Sequence, residues 1–181
     1  MKAVVFAALG LFLFLGTLWS EDSPRDNEAF SLMKLDRAGL LKAIGTPLKE
    51  VTDSQYTRGL WDSIVVQRDQ ETKSFYFYFL SKDRVAAFSS VDYFAKADTR
   101  LQGELDGLKE EVEGQGYQEQ KDPAFSGPLD AVYFDPKARE FVGARVVTDA
   151  GASVLFGLYT ASREALDSVA GSSADLYNTL K

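Results

Sequence analysis

Residues 74–80 read Ser-Phe-Tyr-Phe-Tyr-Phe-Leu, and no other stretch restricts the fold as much. Successive side chains of a β-strand point to opposite faces. A strand here puts Phe75, Phe77 and Phe79 on one face and Tyr76 and Tyr78 on the other. The Phe face belongs to a hydrophobic core. The Tyr face has three readings: packed beneath a helix, lining an apolar ligand groove, or forming a partner-binding surface, where Tyr and Trp are favoured anchors. Trp61, Tyr133 and Tyr159 are the residues that join Tyr76 and Tyr78 in the last two readings.

The remaining strands follow from similar patterns. Residues 60–67 (LWDSIVVQ) and 84–88 flank the aromatic run, with Ser81-Lys82-Asp83 as a turn, giving a first meander over 60–88. Residues 131–134, 140–148 and 152–161 form a second meander within 130–161, with Asp135-Pro136-Lys137 and Asp149-Ala150-Gly151 as its turns.

Three helices are predicted around them. The first covers 26–45: Asp26 or Asn27 caps it, Phe30, Met33, Leu40, Leu41 and Ile44 share a face, and Gly45 with Pro47 ends it. The second covers 91–113, where Phe94, Ala97, Leu101, Leu105, Leu108 and Val112 recur at spacings of three and four. It is expected to bury Leu101, Leu105 and Leu108 and to leave Glu104 and Glu111 exposed. The third covers 162–181, capped by Ser162. Short turns between strands impose antiparallel pairing. The predicted fold is therefore α+β: an antiparallel sheet of five to six strands with helices packed on it, in a single domain over 26–181. The two halves share a helix-then-meander order without a residue-level repeat.

Ahead of the domain, Lys2 is followed by residues 3–19, which contain no charge, and then by a polar exit with Pro24. This is the layout of a signal peptide. No small-x-small cleavage pattern precedes the exit, and seventeen apolar residues also reach the lower limit of a membrane span, roughly 17–25 residues. Residues 1–20 are thus a signal peptide or a membrane anchor. The positive start and acidic exit place the domain on the far side of the membrane, extracytoplasmic and secreted, lumenal or tethered.

The 181 residues carry a net charge of −7 and contain neither Cys nor His. An acidic chain is a poor ligand for nucleic acid, whose binding depends on Lys and Arg neutralising phosphates, and anionic lipid headgroups repel it. Missing His and Cys removes the Ser-His-Asp triad, the thiolate nucleophile and the commonest transition-metal ligands. Ser31-Leu32-Met33-Lys34 matches S-x-x-K, yet the S-D-N and K-T-G companions are absent. Glu104, Asp106, Glu110, Glu111 and Glu113 form an acidic run that reads as a solvated helix face, since no calcium-loop pattern accompanies it. No catalytic residue, no metal ligand and no cofactor is expected.

The element order and the ending "ARVVTDAGASVLFGLYTASREALDSVAGSSADLYNTLK" resemble the Mog1/PsbP-like domains, which include the photosystem II extrinsic proteins and small bacterial envelope proteins. The likeness covers about residues 60–181. The stretch "EAFSLMKLDRAGLLKAIGTPLKE", with Ile44-Gly45-Thr46-Pro47, resembles the start of the Coa1/Tim21-type assembly and translocation factors over about residues 28–88. The later Gly-Lys-Gly-type hairpin of that family is absent here. Both resemblances imply a non-catalytic accessory role. The expected function is an exported or membrane-tethered accessory or assembly protein that binds a membrane-associated protein or complex. The alternative is a secreted carrier of a small apolar molecule, and an enzyme using carboxylate, Ser or Lys chemistry stands third.

Overall fold

The computed structural model describes residues 31–33, 35–52, 61–121 and 129–180. All of these except Ser31 belong to one compact unit, Leu32–Lys181. Among the described residues no helix is long and apolar enough to cross a membrane. The apolar segment 3–19, the caps at Asp26 or Asn27, Phe30 and Lys34 all lie outside them.

The first helix is shorter than its apolar spacing predicts. Residue 31 is helical, but the chain turns at 32–33 and is extended before α1 starts at Arg37. Asp36 causes the restart. Its carboxylate accepts the Gly39 backbone N–H at 2.7 Å, as a capping side chain does. α1 runs Arg37–Ile44 and ends at Gly45, whose φ of 76° is the left-handed conformation that glycine adopts without strain.

Among the described residues eight strands follow: β1 Lys49–Val51, β2 Asp62–Asp69, β3 Ser74–Ser81 and β4 Arg84–Phe94, then β5 Gln118–Glu119, β6 Ala131–Asp135, β7 Glu140–Asp149 and β8 Ala152–Thr160. They form one antiparallel sheet in the order β1-β2-β3-β4-β8-β7-β6-β5. The sequence patterns predict five to six strands. The additional two, β1 and β5, are edge strands of three and two residues, too short to show a period of two.

The second helix also begins later than predicted. Residues 91–94 continue β4, pairing with β8 as far as Phe94 opposite Ser153. Val-Asp-Tyr-Phe suits a pleated surface, and the ladder hydrogen bonds outweigh a helical spacing that extends only by coincidence into this stretch. α2 runs Arg100–Gly114. Asp98 accepts the Arg100 backbone N–H at 2.9 Å, and this contact, after the Arg100 guanidinium, holds the Asp98 carboxyl down at about 2. Leu108 and Val112 are buried. Leu101 and Leu105, expected in the core, are half-buried, as are Glu104 and Glu111, which were expected to be exposed. Only the second half of α2 is close enough to the sheet to exclude water. α3, Arg163–Asn178, closes the fold, with the Ser162 hydroxyl accepting the Ala165 N–H at 3.4 Å.

The chain is a conformational duplication. Among the described residues, each half is one helix followed by a four-strand meander, α1-β1-β2-β3-β4 and α2-β5-β6-β7-β8, and the last strands of the two pair at the centre. The turns repeat as well. In β2–β3, Asp69 accepts the Glu71 N–H at 2.9 Å and the turn ends at Lys73 with φ 53°. In β6–β7, Asp135 accepts the Lys137 N–H at 2.7 Å and the turn ends at Arg139 with φ 59°. The next hairpins use two residues with positive φ, Lys82-Asp83 and Ala150-Gly151. That is the mirror-image turn matching strand twist. The duplication is carried by Asp placement and turn length, while the strand residues themselves have diverged.

Candidate functional site

Strand register decides which aromatic residues meet. Phe75, Phe77 and Phe79 share a face with Val65, Val91, Phe156 and Leu158, and α3 covers them through Leu166, Val169, Ala170 and Leu176. Trp61 lies on this face too. Its indole N–H donates to Ser168 Oγ of α3 at 3.0 Å, and its ring stands edge-on to Phe79 at 6.4 Å.

The opposite face carries the other four candidates. Ile64, Tyr78, Phe88, Tyr159, Val142 and Tyr133 are successive register partners across β2, β3, β4, β8, β7 and β6, so their side chains form one line. Phe88 bridges Tyr78 at 5.1 Å and Tyr159 at 5.6 Å between ring centres. All six are buried. Tyr76, half-buried, sits beside Phe88 at 5.0 Å with the Arg68 guanidinium 5.3 Å from its ring centre. Arg68 in turn pairs with Asp92, which also accepts from the Ser74 hydroxyl.

Two helices border this face. Arg37 of α1 bonds Glu50, Asp62 and Asp83 at 2.9, 2.6 and 2.9 Å, and Glu50 and Asp62 share the face of Ile64. Glu113 of α2 lies near the Tyr133 phenol. The tyrosine face is therefore mostly packed interior. Tyr76, Tyr78 and Tyr159 are brought together, Tyr133 stands two strands from Tyr159 along the same line, and Trp61 is separated from all four by the sheet.

An open concavity lies elsewhere. On the α3 face, a cleft of about 530 Å³ lies between the C-terminal end of α3, the β2–β3 turn and the β7–β8 hairpin. Its size falls in the range of small-molecule sites, roughly 300–1,000 Å³. Phe75, Phe156 and Tyr177 form its floor, with Tyr177 edge-on to both rings at 6.3 and 6.1 Å. Tyr93 lines one wall, and the Lys73 ammonium lies 5.4 Å from its ring centre. Gln67, Gln70, Asn178 and Asp149 supply the polar rim. The arrangement is an apolar floor under a ring of hydrogen-bonding groups, suited to holding a ligand.

No family model, curated protein or solved structure matches the chain.

Sequence patterns did not single out this cleft, because its residues come from six separate elements. Two local signals point toward it. Lys73 precedes the Phe75, Phe77, Phe79 series at the same parity, and Tyr177 on the buried face of α3 precedes Leu180, just beyond the helix, by three. The acidic run on α2 is engaged locally, with Gln102 donating to Asp106 and Lys109 near Glu113. Among the described residues no cluster of His, Cys, Asp or Glu is arranged to hold a metal ion.

Burial pushes the Tyr177 phenol above its ordinary value of 10.0, and Tyr93 adds to the shift. Burial likewise raises Tyr133 and Tyr117, reinforced by Glu119 and Glu140 respectively. A raised phenol pKa means the folded state favours the neutral form. That contribution to stability is intact below the unfolded value of about 10 and is lost as pH climbs toward the folded values. With no His or Cys to titrate, urea midpoints are expected to be flat between pH 6 and 8 and to fall above about pH 10. Phenolate absorbance should rise together with unfolding. Half-maximal ionisation of all the tyrosines near pH 10 in the folded protein would show that these rings are accessible to water.

Proposed function

We propose that the chain is an extracytoplasmic, non-catalytic binding protein, exported or tethered through residues 3–19, that holds a small molecule with an apolar body in the cleft beside α3. The observation that carries this is the cleft itself: an aromatic floor, a polar rim and a volume of about 530 Å³. Among the described residues Leu48 is the exposed large hydrophobic side chain, so a broad apolar docking face has little support. The carrier role therefore ranks ahead of partner binding through an aromatic surface.

Ala174 of α3 is half-buried and lines the cleft, so Ala174→Trp fills it from one wall. Native mass spectrometry of the full chain, purified from its source in mild detergent, is expected to show a bound small molecule that the Ala174→Trp protein lacks. The variant's melting temperature should stay within a few degrees. A wild-type chain free of bound mass, and unable to take up apolar probes, would remove the carrier reading.

A second reading is the accessory protein that docks on a membrane complex. It is supported by the apolar segment, the two family resemblances and the exposed acids Asp106, Glu110 and Glu113 of α2, which favour a basic partner patch. Such attraction weakens as the Debye length shortens from about 10 Å at 0.1 M salt to 3 Å at 1 M. A pull-down from solubilised membranes distinguishes the two: a stoichiometric protein partner released by salt supports docking.

A further inference from the structure

The rim of the cleft carries two charges of opposite sign that do not pair. Lys73 stands on the β2–β3 turn and Asp149 at the end of β7, and both line the cleft. Several other charges of the domain find partners. Arg37 bonds three carboxylates, Arg68 pairs with Asp92, and Arg163 pairs with Asp167 at 2.9 Å. Lys73 instead rests its ammonium over the Tyr93 ring, and neither it nor Asp149 makes an ion pair among the described residues. Gln67, Gln70 and Asn178 of the same cleft each offer both a donor and an acceptor.

An apolar floor bordered by one free cation and one free anion is complementary to a dipolar ligand with an apolar body. A simple fatty or aromatic acid would satisfy Lys73 and be repelled by Asp149. An apolar amine would meet the reverse.

We propose that the cleft binds a zwitterion with a large apolar or aromatic side chain, the class of an α-amino acid, its carboxylate on Lys73 and its ammonium on Asp149. The ring then lies against Tyr93, Phe75 and Tyr177, and the Lys73 ammonium leaves the Tyr93 face as the ring takes its place. This assignment rests on the cleft being the binding site.

Three probes with the same indole ring test it: tryptophan as zwitterion, indole-3-propionate as anion and tryptamine as cation. Binding of each to the full chain in mild detergent is measured by calorimetry. Tryptophan is expected to bind at least about tenfold more tightly than either of the others, the scale of one charge-assisted contact. Lys73→Gln should bring tryptophan down to the level of tryptamine, and Asp149→Asn to that of indole-3-propionate. Arg139→Gln removes a cation from the equivalent turn of the other half, away from the cleft, and should change none of the three. Because Lys73 and Asp149 are exposed, both variants should fold, and unchanged melting temperatures confirm it. If the anion or the cation binds as well as tryptophan and Ala174→Trp abolishes that binding, the carrier reading stands and the zwitterion assignment falls. If none of the three binds, the zwitterion assignment falls, and uptake of uncharged apolar probes then decides the carrier reading separately.

Discussion

Phe77→Ala is expected to destabilise the protein by about 3–5 kcal/mol, the range for removing a large aromatic side chain from a packed core. Phe77 is 0% exposed and sits mid-strand in β3, with Val65 and Ser89 as its register neighbours and the Phe75 ring 6.2 Å away. Core packing is close to that of organic crystals, so the surroundings collapse only partly into the space left behind. Small domains have roughly 5–15 kcal/mol in total, so the variant should be near its unfolding transition at ordinary temperature. Urea denaturation of the full chain followed by far-ultraviolet circular dichroism measures the change. A loss under 1 kcal/mol would mean that the Phe face of β3 is not the core.

Leu40→Ala carries the second large effect, of a different kind. Leu40 is the buried residue of α1 and is 0% exposed. The rest of the helix is held by its Asp36 cap, by the Arg37 guanidinium and by two backbone bonds: the Arg37 N–H donates to Asp83 O, and the Val85 N–H to Leu35 O. Exposed ion pairs contribute up to about 1 kcal/mol each, and often nothing measurable, so they cannot hold an eight-residue helix alone. The truncation is expected to cost about 2–5 kcal/mol by loss of buried area. Hydrogen exchange separates global from local loss. Amides of α1 should lose protection first, while those of β3 and β8 follow the global stability. If α1 stays as protected as the central strands, another contact holds the helix and Leu40 is not its anchor.

Sequence patterning gave the α+β class and the antiparallel meanders, because period-two alternation and tight turns are local properties. The Asp149-Ala150-Gly151 hairpin and the Ser162 cap are set by residues adjacent in the chain, and they are found where their chemistry places them. The errors fall where distant pairing competes with local preference. Residues 91–94 have helical spacing toward Leu101, yet β8 offers them a ladder of hydrogen bonds that a sequence cannot display. The edge strands β1 and β5 exist only because β2 and β6 present unpaired backbone to them.

The same division holds for the site. Alternation within β3 correctly separates Phe75, Phe77 and Phe79 from Tyr76 and Tyr78, since parity is local. That Trp61 falls on the α3 side depends on the parity of β2 and on where Ser168 packs, while Tyr159 and Tyr133 join the tyrosine side through the registers of β8, β7 and β6. The covering of that tyrosine face is a tertiary outcome, because what lies above a sheet is settled by chain segments remote in sequence. Lys73, Tyr93, Asp149 and Tyr177 meet around one cleft for the same reason. The sequence by itself determined that these residues exist at turns, strand ends and a helix face. Only the pairing of β4 with β8 and the packing of α3 across them decided that they share a cavity, because a cavity is the space left between surfaces and has no signature in any one of them.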